Sequence, residues 1–541
     1  MTTIDTHATD VVGSSTTEAL SGIVGWITTT DHKRVGRMFI GGGLLALAGV
    51  SVVGVLLGID RASTSKNLID VNALPQLFSI YRVGLIFIVL LPILVGLAVA
   101  VVPLQLGARS LAFPRLAASG FWTWMVGAVL VIGSIAANGG PGGGDRRMVA
   151  GYLVAQTVVL LGLLAAAVCV ATSVMTTRAP GMNMRRVPPF SFSALVGAIG
   201  VIIGVPVLVG ALLYSYVDYR YGGSGFGQSK DIFSHIGFGF SQPLTFVFAV
   251  PAFGIAAEAI AVATRKRLPM RGVMFTGFGL VGLGALGAVV QVPAGLRRDI
   301  VHVSFGTALN DIVPYVLINL LPVLGGLIVL GVGALALAAA RPRVTPALVF
   351  GLLGSLLVFG GLLGNAVYLI GDAQLGGTVF EEGVRLLVAY GAVLAGLGGI
   401  AHWAPKLWGR AIAVKAVLPL ALLGFLGAVL AAVPYLVAGF AKQPGDSTTF
   451  DYGGPEQLWN IAAAVGHLLM LLTVLAFVGL AMKSFGGRST PATASGDDPW
   501  DAQTLEWATS SPAPFANFAE IHTIASAEPL LDLKEAAGRN V

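Results

Sequence analysis

Residues 241–254 read SQPLTFVFAVPAFG, an apolar run that carries proline at Pro243 and Pro251. Proline removes a backbone donor and its ring crowds the preceding turn, so inside a helix it persists mainly where neighbouring helices re-satisfy the freed groups, as in a bilayer. After Ser241 only Gln242 and Thr245 interrupt the apolar side chains. The stretch therefore reads as a membrane helix shaped for a site whose polar equipment is missing.

The rest of the chain agrees with the bilayer reading. Of its 541 residues 55% are hydrophobic and 11% charged, and the mean hydropathy is +0.85. A soluble domain carries roughly 25% charged residues. The apolar segments divide into about twelve spans of roughly 20 residues or more, the length a hydrocarbon layer of about 30 Å demands. They lie near 37–59, 83–106, 121–138, 149–175, 192–217, 241–264, 272–295, 312–339, 346–371, 384–404, 412–440 and 459–482. The fold class is thus an all-α integral membrane protein, a twelve-helix bundle. Its expected organisation is a disordered lead over 1–25, a membrane domain over 26–483 and a polar tail over 484–541.

Twelve spans place both termini on one side. Loops on that side, such as RKRLPMR (265–271), RAPGMNMRR (178–186) and PKLWGR (405–410), give it roughly 19 Lys and Arg against about 10 opposite, so both termini are expected in the cytoplasm and the chain in the cell membrane. The calculated pI near 9.4 has the same origin and implies no nucleic acid. The first 25 residues lack a charged-then-apolar signal pattern, so no cleaved signal is expected. The only cysteine, Cys169, lies in an apolar span and rules out an intramolecular disulfide. Glycine, 73 residues, falls largely inside spans, as in GFGLVGLGALGAVV (277–290), and small residues let membrane helices approach closely. The loop GGPGGGDRR (139–147) lacks the lysine-serine ending of a phosphate cradle, so no nucleotide site is expected.

Five segments in order carry a family resemblance: WITTTDHKRVG (26–36), LGARSLAFPRL (106–116), VPAFGIAAEAI (250–260), GAVLAGLGGIAHWAPKLWGR (391–410) and DPWDAQTLEWATSSPAPFANF (498–518). Together they resemble subunit I of the haem-copper oxidases, the cytochrome c oxidase type, from Trp26 to about Asp532. The resemblance implies the twelve-helix plan, two haems, copper and magnesium, and electron transfer to oxygen with proton translocation.

The ligand positions it implies carry other residues. The family's copper helix reads His-Pro-Glu-Val-Tyr, where this chain has Gln242, Pro243, Leu244, Thr245 and Phe246. The low-spin haem ligand expected upstream of Pro92 is Tyr81, a residue that does ligate iron in some haem proteins. The two histidines of the tenth span fall on Gly383 and Arg385, or by a one-residue gap on Val384 and Leu386. No histidine pair follows VVQVPAGLRRD (289–299), and the nearest imidazole is His302. The proton-route carboxylates fall on Ser110 and Leu244, and the magnesium pair on Gly376 and Gly377.

Of seven histidines, His7, His32 and His522 belong to the chain ends, His235 and His302 to outer loop edges, His402 to an inner span end, and His467 stands alone in the last span. No pair has ligand spacing, so no haem, copper or other metal is expected and no catalytic residue is assigned. What could replace the chemistry is a polar cluster of Arg82, Glu381, Glu382 and Arg385 at the outer ends of spans two and ten. The spacings of 381, 382 and 385 meet on one helix face. It reads either as a buried ion-pair group or ligand pocket, or as a solvated helix cap.

Glu258 reads as a surface charge beside the basic corner at 264–267. The tail segment 498–518 reads as lying on a partner or on the bundle.

Three functions remain open on sequence. One is a non-catalytic, haem-free subunit I homologue serving as a structural or regulatory subunit beside other oxidase-type membrane subunits. Another is an oxidase with atypical ligands, and the third a transporter or channel using the vacated core. Lipid is the one certain surrounding.

Overall fold

The computed structural model describes residues 24–63, 68–141, 143–221, 249–288, 306, 312–370, 373–448, 455–487, 496–518, 520 and 523–536. Among them the regular structure is helical apart from one bridge between Thr378 and Pro444. Eleven helices are long and apolar enough to cross a membrane. In chain order, counting the shorter α6, they are α1 (His32–Ala62), α2 (Leu74–Gln105), α3 (Pro114–Ala136), α4 (Arg146–Thr176), α5 (Pro189–Tyr221), α6 (Ala249–Thr264), α7 (Arg271–Ala288), α8 (Ile312–Ala338), α9 (Pro346–Tyr368), α10 (Phe380–Trp408), α11 (Val414–Phe440) and α12 (Pro455–Gly486). The first half of the expected sixth span, with Gln242 and Pro243, lies outside the described residues, as do the lead 1–23 and the segment with His302.

Local chemistry sets several helix ends. Asp31 caps α1, its side chain accepting from Lys33 N at 3.1 Å, and Asp145 caps α4 through Arg147 N and Met148 N. The second span begins nine residues before its expected start, because LPQLFSIYR continues the helix toward the loop. Within α2 the segment Gly84–Leu90 is a π-helix, and Val316–Leu320 repeats this in α8. Each stands directly before a Leu-Pro pair, Leu91-Pro92 and Leu321-Pro322. A proline withholds the N–H that would bond four residues back, and the wider turn accommodates its ring.

Glycine closes the helix pairs. An ideal Cβ on Gly354 of α9 would stand 2.5 Å from the Gly391 carbonyl of α10, and one on Gly391 2.7 Å from the Gly354 carbonyl. The same reciprocal contact joins Gly36 to Gly96 between α1 and α2, Gly120 to Gly162 between α3 and α4, and Gly277 to Gly325 between α7 and α8. Backbones thus touch where lipid supplies no drive for association, and dispersion across flat faces takes its place. α2 and α10 form the innermost pair, almost wholly buried in their apolar windows.

The C-terminal segment packs on the bundle rather than extending from it. Trp507 and Glu506 are fully buried there. Lys406, at the end of α10, donates to the carbonyls of Asp497 and Thr509 at 2.8 and 2.5 Å. Asn517 donates to the Ala108 carbonyl and accepts from Lys33 Nζ at 3.0 Å, and its amide also bonds His32 Nε2. A last helix, α13 (Pro529–Ala536), follows Glu528, which pairs with Arg271 at 3.0 Å. Lys406→Met should free residues 497–510 at a cost of about 1.5–3 kcal/mol, the scale of a hydrogen bond from a charged donor. Limited proteolysis reads this as faster cleavage in that segment; unchanged cleavage would mean that the lysine does not hold it.

Candidate functional site

Tyr81 lies on α2 just before the π-helical turn, and Gly54 of α1 lets its ring sit flat against that helix: a Cβ on Gly54 would come 2.8 Å from the ring. Its hydroxyl meets the Tyr390 hydroxyl of α10 at 2.9 Å, and Tyr390 reaches His467 Nδ1 of α12 at 2.9 Å. All three are buried. With His467 protonated on Nε2, Tyr81 donates to Tyr390 and Tyr390 to the imidazole, so both hydroxyl protons and the Nδ1 lone pair are satisfied. His467, expected alone, is therefore a partner in a three-helix network. Tyr390→Phe should remove both bonds and cost about 1–3 kcal/mol, because Tyr81 and His467 keep only the longer 3.5 Å contact with each other. Thermal unfolding of the purified protein measures it, and an unchanged midpoint would show the network to be inert.

The structure brings Arg82, Glu381, Glu382 and Arg385 together immediately beyond Tyr81. Glu382 Oε2 accepts from Arg82 Nε at 3.2 Å and from Arg385 at 2.7 Å, while Arg385 also reaches Glu381 at 2.9 Å. The other nitrogen group of Arg82 binds Asp446 at 2.7 Å. Burial is graded: the Glu382 side chain is 4% exposed, Arg385 12%, Arg82 30%, Glu381 38% and Asp446 81%. The solvated-cap description fits Glu381 and Asp446; it does not fit Glu382, which two guanidinium groups hold inside the protein.

Sequence reasoning missed Arg61, whose guanidinium lies over the rings of Phe78 and Tyr435 at 5.0 and 5.1 Å and donates to the Gly445 carbonyl at 2.6 Å. It missed Tyr390 as well. A lone tyrosine within an apolar span gives no signal of the partners it meets on other helices.

Gly383 faces α11, where a Cβ would stand 2.9 Å from the Ala432 carbonyl. On the side toward α2, Cβ atoms on Gly396 and Gly399 would lie 3.2 Å from Ile93 and 3.1 Å from Leu97. α2 and α10 thus approach closely at Gly396 and Gly399. A small apolar cavity of about 30 Å³ lies between α2, α4, α5 and α6, lined by Leu91, Leu94, Val95, Ala167, Val201 and Pro251. That is room for no more than about two water molecules.

Among the described residues no three His, Cys, Asp or Glu side chains converge as metal ligands. Gly377 accepts a backbone bond from Gly445 at 2.9 Å, and Ser110 lies exposed in its loop.

A second polar locus lies at the end of the bundle where α1 begins and α12 ends. Glu258, expected at the surface, is 1% exposed: the helix turns it inward, where Phe190 N and the Thr504 hydroxyl donate to it at 3.4 and 3.3 Å. His402 is likewise buried, ringed by Trp403, Trp500 and Trp507.

Residues 34–478 match the family model described as Cytochrome C and Quinol oxidase polypeptide I. The chain is 27% identical to cytochrome c oxidase subunit 1 of Bacillus subtilis, over 95% of this chain and 84% of that one. It is 28% identical to cytochrome c oxidase subunit 1 of Corynebacterium glutamicum, over 98% and 92%. A haem-copper terminal oxidase dimer solved by cryo-electron microscopy superposes with a TM-score of 0.64 at 14% identity, covering 93% of this chain and 89% of that one. That likeness shows a shared fold.

Proposed function

Because the chain belongs to the cytochrome c and quinol oxidase polypeptide I family, we propose that it is a haem-free, non-catalytic homologue of subunit I that serves as a structural or regulatory subunit of a respiratory-type complex in the cell membrane. The observation that carries this reading is the hydrogen-bonded chain of Tyr81, Tyr390 and His467, at the place where the family resemblance implies a haem ligand. Tyr81 has its hydroxyl turned to another side chain, Gly383 has nothing to ligate with, and Arg385 is a cation committed to two carboxylates. These residues do not fit a haem. Nor does the spacing at that level, where Tyr81 of α2 meets Tyr390 of α10 at 2.9 Å and Arg82 meets Glu382 at 3.2 Å. The copper position Gln242 lies outside the described residues; its amide is a poor copper ligand beside imidazole.

The scaffold then keeps what an oxidase subunit needs to assemble: twelve apolar segments, glycine-mated helix pairs and a terminal segment folded over one face. Partners of this reading are other oxidase-type membrane subunits and lipid, and both termini face the cytoplasm. The competing reading, an oxidase with atypical ligands, draws on the relatives named cytochrome c oxidase subunit 1. A reduced-minus-oxidised absorbance spectrum with copper analysis on the purified protein separates them. No haem bands and no copper, with membrane subunits co-purifying, is the expected result. Stoichiometric haem in the isolated chain would overturn it.

A further inference from the structure

The locus between α6, α2, α10 and the C-terminal segment holds two carboxyl groups that have no formal counter-charge of their own. Glu506 and Glu258 are 0% and 1% exposed. Oε1 of Glu506 accepts from Gln105 Nε2 at 3.0 Å and Trp403 Nε1 at 3.3 Å, and its Oε2 has no partner. Gln105 is in turn fixed by the Ser191 hydroxyl at 2.6 Å. The Thr504 hydroxyl donates to Glu258 at 3.3 Å, and Thr504 directly precedes the short helix that carries Glu506, so one residue links the two acids.

The surrounding charges do not balance them. Arg271 of α7 acts on Glu258 but is ion-paired to Glu528. Lys406 of α10 acts on Glu506, yet its ammonium group is bonded to the carbonyls of Asp497 and Thr509, with Asp498 beyond. His402, also on α10, stands among tryptophans. Three carboxyl groups thus share two cations already engaged elsewhere, and one buried oxygen lacks any donor. Burying a second unpaired charge costs far more than retaining a proton. An added proton would also turn the orphaned Oε2 into a donor.

We propose that Glu258 and Glu506 hold one proton between them at neutral pH and that this carboxyl–carboxylate pair is a proton-dependent clasp fastening the C-terminal segment to the bundle. Burial holds the Glu506 carboxyl above its ordinary range, with hydrogen bonds from Gln105 and Trp403 opposing that shift. Once the segment detaches, its carboxyl titrates in water like any glutamate. The fastened state therefore binds more protons than the released state. Fastening is complete below the ordinary carboxylate range and weakens as pH rises through the elevated range, by about tenfold per pH unit for each proton.

Infrared spectra of the full-length protein in lipid nanodiscs test this directly. The wild type should show the C=O stretch of a buried protonated carboxyl at neutral pH that disappears on alkalinisation, while protease cleavage within 497–518 accelerates over the same range. Glu506→Gln and Glu258→Gln each keep the shape and leave a single acid in place of the pair; either should shift the band and move the pH range over which cleavage accelerates. A wild type without the band at neutral pH, or with cleavage indifferent to its loss, overturns the clasp. So does a band whose position and titration neither substitution changes. The wild-type titration needs no variant, so a poorly folding substitution leaves the proposal decidable.

Discussion

Arg385→Leu is expected to destabilise the protein by about 3 kcal/mol, because it leaves the buried Glu382 carboxylate with one guanidinium instead of two. Breaking a buried ion pair from one side costs about 3–5 kcal/mol, most of it the penalty of the stranded charge. The low end applies because Arg82 still donates to Glu382 at 3.2 Å. Arg82→Leu should cost less, since its side chain is 30% exposed and the retained Arg385 makes the shorter bond of 2.7 Å. Asp446→Ala should fall within about 1 kcal/mol, as for any surface pair. Thermal unfolding in detergent gives the order. Adding Glu382→Gln to Arg385→Leu should recover much of the loss, since the stranded charge is gone. Equal effects for Arg385 and Asp446 would show that the gradation of burial carries no energetic weight.

Gly383→His is the second large effect. A Cβ at this position meets the Ala432 carbonyl at 2.9 Å and Leu436 at the same distance, and the carbonyl belongs to a helix that cannot turn aside. Overpacking costs typically 1–3 kcal/mol, occasionally more, and about 3 kcal/mol is expected where backbone opposes the new atom. Joined with Tyr81→His, it also restores imidazoles at two of the positions the family resemblance assigns to haem. The expected outcome is a less stable protein without haem absorbance after reconstitution with excess haem, because ligands alone do not part α2 from α10. A folded double variant with a low-spin haem spectrum would mean that the space reopens readily, and the haem-free reading would then rest on missing ligands alone.

Most of the bundle could be read along the chain because its determinants are local. Apolar length, framework prolines and loop charges act within a span, and glycine at helix faces announces close packing without naming the partner. The site was legible only where its members were neighbours in sequence. Glu381, Glu382 and Arg385 share one turn, and Arg82 follows Tyr81. Arg61, Tyr390, Tyr435 and His467 come from four helices, and no periodicity joins them. His467 looked solitary since its partners are tyrosines, which in a lone span are indistinguishable from apolar packing. Glu258 was misplaced for a related reason: proximity to RKR in sequence says nothing about which way a helix turns a carboxyl, and here it turns toward a segment nearly 250 residues later.

The segment that covers the terminal face has a consequence for the order of manufacture. His32 opens the first span, yet its imidazole is bonded by Asn517, 485 residues downstream, and Lys33 and the Ala108 carbonyl depend on the same amide. Contacts of such separation wait until the intervening chain has been made. The first span to leave the ribosome is consequently among the last to be finished. Until translation has passed Asn517 and the growing end has returned to that face, the polar start of α1 stays open, and a chain stopped short of residue 497 would insert its helices without ever completing the first.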